Sequence, residues 1–82
     1  MSQPTTAQRW RAALSQAARR TLLARWRSTV EALGAARFEY RALHRAPPAA
    51  VDVRALRKAA QRVHDLEQLR AVLARELAAS RL

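Results

Sequence analysis

The chain contains no cysteine, no isoleucine and no asparagine, and only one glycine, three prolines and four aromatic residues among its 82. Each scarcity removes a class of protein. Without cysteine there is neither a disulfide framework nor a thiolate metal site. So little glycine and proline leaves few turns for a β-rich architecture. The one glycine, Gly34, lies within a helix-forming stretch, so a glycine-rich phosphate loop is excluded. Four aromatics are too few for a base-stacking surface. No apolar run approaches the roughly 18 residues that would mark a transmembrane helix. The length fits one small domain with no room for a large enclosed active site.

What is abundant is alanine and arginine. Of the hydrophobic half of the chain, 20 residues are alanine and 11 are leucine. Fifteen arginines and a single lysine stand against six acids, giving a formal charge of +10. An alanine- and arginine-rich, lysine-poor chain is what GC-rich coding produces, so part of the arginine bias is compositional. The charge is physically present whatever its origin, and it favours anionic partners and a strong dependence on salt. It is also uneven. The first 30 residues hold Arg9, Arg11, Arg19, Arg20, Arg25 and Arg27 and no acid.

Two long helices are expected, with one break. Thr5 and Gln8 have the spacing of a capping box. From there to Ala46 the chain has no proline and is rich in strong helix formers, which predicts a helix over 6–45. Its apolar face gathers Leu22, Trp26, Val30, Leu33, Tyr40 and Leu43, with Ala18 and Ala36 beside them, at steps of three and four. That face keeps its phase across Gly34, which favours one continuous helix over a kink. Pro47-Pro48 predicts a stiff extended connector over 46–51. Asp52 is a natural N-cap, with Val51 and Leu56 at the hydrophobic-staple positions, for a second helix over 53–79. This helix carries a coiled-coil-like seam of Leu56, Ala59, Val63, Leu66, Arg70, Leu73, Leu77 and Ser80, interrupted by the charge of Arg70.

A short connector between two long amphipathic helices implies an all-α antiparallel hairpin. The expected pairings set Leu43 against Val53 and Leu56, Leu33 against Val63, and Val30 against Leu66. Trp26 then falls between Leu69 and Leu73, and Leu22 near Leu77. Because the first helix is longer, residues before about Ala17 overhang, and Trp10 and Leu14 are left uncovered in cis. Leu23, Phe38 and Val72 also lie off the seam. A hairpin this small is marginal by itself, so another chain, a twin or a different protein, is expected to complete it as a bundle.

Catalytic constellations are not evident. His44 and His64 are not brought together by the hairpin, and neither has a ligand-type residue four positions away. The acids are scattered among arginines and read as surface charges, and the serines have no base in any recognisable pattern. No catalytic residue, metal ligand, cofactor or small-molecule substrate is therefore expected. The expected role is that of a small non-enzymatic basic protein, cytoplasmic, binding a protein partner or its own twin by helix-to-helix packing. Trp10, Leu14, Leu23 and Phe38 are the candidate anchors, and the stripe of Arg9, Arg20 and Arg27 the candidate steering element for an acidic surface. The competing reading is a nucleic-acid-associated protein whose arginines bind phosphates non-specifically. The arginine-rich, acid-free beginning also has the composition of a mitochondrial targeting segment. It equally suits a membrane-surface helix built on Trp10 and Leu14.

Overall fold

The computed structural model describes residues 3–80. Helix α1 runs over Thr6–His44 and helix α2 over Val53–Ala79, joined by a turn that contains a 3-10 helix at Pro48–Ala50. The result is an all-α antiparallel hairpin, a rod 73 Å long and 16 by 14 Å across. The helix starts are set by the residues expected to set them. The Thr5 hydroxyl accepts from the Gln8 N–H at 3.2 Å, while the Gln8 Oε1 accepts from the Thr5 N–H at 2.8 Å. Two of the amides left without intrahelical acceptors at the start of α1 are thereby satisfied. At α2, the Asp52 Oδ1 accepts from the N–H groups of Arg54 and Ala55, both at 3.1 Å.

The connector departs from the expected extended form. After Pro47, whose N–H is missing, the Ala50 N–H donates to the Pro47 carbonyl at 2.8 Å and closes a tight turn. Pro48 sits at the first position of that turn, where a missing donor costs nothing. The chain therefore reverses direction compactly, and α2 returns along α1.

The seam between the helices follows a strict heptad. On α1 the buried or half-buried series is Leu22, Trp26, Thr29, Leu33, Ala36, Tyr40 and Leu43. On α2 it is Leu56, Ala59, Val63, Leu66, Arg70, Leu73 and Leu77. Both series step alternately by three and four residues, the spacing that keeps one stripe facing a partner helix. The antiparallel order sets the Leu43 end of the first series beside the Leu56 end of the second, and the Leu22 end beside the Leu77 end. Ala36 and Ala59, within the two series, are both buried. Leu33, near the middle, is only 1% exposed.

Several expected contacts are corrected by this register. Val30 is 37% exposed, and its place in the seam is taken by the buried Thr29. A helical wheel at 3.6 residues per turn drifts from a 3.5-residue repeat. Position 30 falls on the edge of the stripe, whereas 29 lies between 26 and 33 within it. The expected pairing of Val30 with Leu66 loses its α1 member to solvent. Val53 and Leu69 are exposed, as is Ala18, so none of them closes the seam. The Thr29 hydroxyl donates to the Arg25 carbonyl at 2.7 Å, which satisfies it within its own helix. Thr29 is thus the buried polar member of its series, and Arg70 the half-buried charged member of the other. Beside the seam, Arg37 Nη2 donates to Glu67 Oε1 at 3.2 Å, with both side chains about two-fifths exposed. An ion pair this wet contributes at most about 1 kcal/mol.

Helix α1 is continuous through Gly34, where a Cβ would meet no atom within 4 Å. Gly34→Ala is therefore expected to stabilise the hairpin by about 1 kcal/mol, raising the thermal midpoint by roughly 4–8 °C. Its buried neighbour should respond with the opposite sign. Leu33→Ala is expected to cost about 2–5 kcal/mol. Thermal unfolding followed by circular dichroism checks both. A lower midpoint for Gly34→Ala would mean that α1 bends at this point.

Candidate protein-interaction surface

The apolar face of α1 changes sides along its length. From Leu22 to Leu43 it faces α2. Carried toward the N-terminus, the same face would present Arg19, Ser15, Ala12 and Gln8, which are polar or small. The large apolar residues of the first turns, Trp10 and Leu14, lie about 140° and 100° round the helix from the seam at 3.6 residues per turn. Both are well exposed, at 66% and 64%. The partner series on α2 ends at Leu77, opposite Leu22. Among the described residues of α1, every position before Arg19 is exposed. The overhang expected from the helix lengths is therefore present, and its apolar residues point away from the line along which α2 would continue.

Arginine brackets this patch. Arg9 and Arg20 lie on one side of Trp10 and Leu14, Arg11 and Arg25 on the other, and all four are exposed. Thr6, Arg9, Trp10 and Ala13 together line an open depression of about 310 Å3. Among the described residues, the one ion pair in the molecule is that of Arg37 with Glu67. Arg9 and Arg11 thus present positive charge beside an exposed indole with no ion-pair partner among the described residues.

The residues proposed from sequence as one set do not form one surface. Trp10, Leu14 and Arg9 are brought together. Arg20 and Arg27 continue an exposed stripe along α1. Phe38 is fully outward at 75% exposure but lies 28 residues beyond Trp10, about 42 Å along the axis. It is a separate feature. Leu23 is half-buried beside Leu22, which makes it part of the hairpin flank and corrects its assignment as an exposed anchor. Sequence reasoning did not single out the groove lined by Arg25, Ser28, Thr29, Leu69 and Leu73, about 340 Å3 in volume. The signal for it was Leu69, an apolar residue one position short of the heptad seam. Tyr40 and His44 stack at a tilt, with ring centroids 5.9 Å apart, but His44 and His64 are both exposed. Among the described residues no cluster of histidine and carboxylate side chains is placed to hold a metal, and no helix is long and apolar enough to cross a membrane.

Compared with known protein families, with curated proteins and with solved structures, the chain matches none.

The two tryptophans report on this geometry separately. In a Trp26→Phe protein the remaining Trp10 should emit as a solvated indole and be freely quenched by acrylamide. In Trp10→Phe the half-buried Trp26 should emit further to the blue and be quenched several-fold less. Equal quenching of the two would contradict an uncovered overhang.

Proposed function

We propose that this is a non-enzymatic basic hairpin that binds a protein partner by helix-to-helix packing, as an adaptor or assembly subunit. The observation that carries this reading is the side-switch of α1. An exposed Trp–Leu pair one turn apart is solvated on a part of the helix that the hairpin neither covers nor could cover by lengthening α2. Tryptophan and arginine are the residues most enriched where binding energy concentrates, and here they are adjacent. The rest of α1, pinned by the seam, holds the overhang as a preformed helix, so a partner need not supply the entropy of ordering it.

A second reading rests on a different observation. The first 30 residues carry six arginines and no acid, which also suits non-specific binding to the phosphates of a nucleic acid. The two readings differ in what holds the complex. Packing on Trp10 predicts that native co-purification from the source cell survives nuclease and about 200 mM salt, but is lost with Trp10→Ala. Phosphate binding predicts a loss of affinity of several orders of magnitude between about 50 and 200 mM salt, with little effect of Trp10→Ala. Co-purification that is abolished by nuclease and indifferent to Trp10 would sink the packing proposal.

A further inference from the structure

The geometry points to an acidic amphipathic helix of another protein as the occupant of the Trp10–Leu14 face, docked on the side of α1 turned away from α2. This deepens the function proposed above and rests on it.

Three observations select that occupant. The first is charge. Arg9 and Arg20 lie on one side of the two apolar anchors and Arg11 on the other, and no acid occurs before Glu31. A partner whose apolar stripe covers Trp10 and Leu14 must place its flanking residues against guanidinium groups on both sides. Carboxylates there form charge-assisted, often bidentate hydrogen bonds.

The second is that the basic helices of this chain are a poor source of such a partner for a twin. Helix α1 holds eight arginines against Glu31 and Glu39. Helix α2 holds six basic residues against Asp65, Glu67 and Glu76, of which Glu67 already pairs with Arg37. A second copy's α2, or its α1 before Glu31, laid on the overhang sets net positive charge against positive charge. Exchange of α2 between copies fails for another reason. It would rebuild the same seam from Leu22 to Leu43 and still leave Trp10 in water.

The third is surface relief. Ala13 and Ala17 lie beside Trp10 and Leu14 and are exposed. Their methyl groups let a neighbouring helix approach closely and give large side chains on that helix a recess beside the indole. Two large residues among alanines offer a bilayer little apolar mass to insert, but they suit knob-and-recess packing of one helix on another. The occupant is thus defined by leucine-like residues at three- and four-residue spacing, flanked by Asp or Glu.

The test uses the full chain and two synthetic peptides of identical composition. One has Leu at helical spacing and Glu on the flanks; the other is scrambled so that no stripe forms. The first is expected to bind at one-to-one stoichiometry with a blue shift of Trp10 emission, read in the Trp26→Phe background. The scrambled peptide should bind at least about tenfold more weakly. Trp10→Ala and Leu14→Ala, read by anisotropy of a labelled peptide, should each weaken binding by about ten- to thirtyfold. Phe38→Ala should leave it unchanged. Circular dichroism of each variant, expected to keep the parent helicity, separates lost contact from lost fold.

Equal binding of the two peptides, or indifference to both overhang substitutions, overturns the proposal. So does tighter binding to phosphatidylserine vesicles or to duplex RNA with the same Trp10 blue shift. Sedimentation distinguishes the remaining case. A dimer dissolved by Trp10→Ala would overturn the acidic partner while leaving helix packing as the function. If neither acidic peptide nor self-association depended on Trp10, the packing function itself would fail.

Discussion

The heptad seam between α1 and α2 is the one element-to-element contact among the described residues, and the rest of the molecule depends on it. It fixes which residues are covered and, by ending where α2 ends, which are not. Its chemistry is economical. Leucine supplies most of its bulk, and Ala36 and Ala59 are buried within it. Thr29 interrupts the apolar series of α1, its hydroxyl satisfied by its own helix. A threonine there buries less apolar surface than a leucine would. A single stripe on each helix leaves little surplus stability. That is why the alanine-to-glycine difference at one exposed position in α1 is large enough to measure.

From this constraint follows the asymmetry of α1. Where the seam is present, the apolar face serves folding and the arginines are outward. Beyond the seam, the face that would have been folded inward becomes polar, and the apolar residues reappear on another side. A helix that merely frayed past its partner would have no reason to carry Trp10 and Leu14 together one turn apart and out of phase with the seam. The arginines on either side then set the character of whatever approaches. They attract anions at long range, while the indole and the leucine demand an apolar contact at short range. Both requirements together are met by an acidic amphipathic surface and by few others.

Much of the fold was legible in the residues, because the signals agreed with one another. Thr5 and Gln8 marked the start of α1, the proline pair its end, and Asp52 the start of α2. The α2 seam was read correctly from Leu56 to Leu77, since leucine and valine occupy most of it. The α1 seam was harder. Its true members include a threonine and an alanine, Thr29 and Ala36, while the more hydrophobic Val30 sits one position away. A ranking by hydrophobicity selects Val30; only the 3.5-residue spacing, which needs the partner helix to reveal itself, selects Thr29. The same one-residue ambiguity separated Leu23 from the exposed anchors. The overhang was legible from helix lengths alone. Its change of face was not drawn from sequence, because it is defined only relative to the register of the seam.

The central claim is that α1 before Arg19 is a helix held in place from one end and, among the described residues, covered by nothing. Amide hydrogen exchange resolved along α1 tests this most directly. The account predicts strong protection from Leu22 to Leu43, falling steeply before Arg19, with weak protection over residues 6–18 in the isolated monomer at about 25 °C. Protection over 6–18 as strong as that at Leu33 would mean that the overhang is already covered, and would contradict the account.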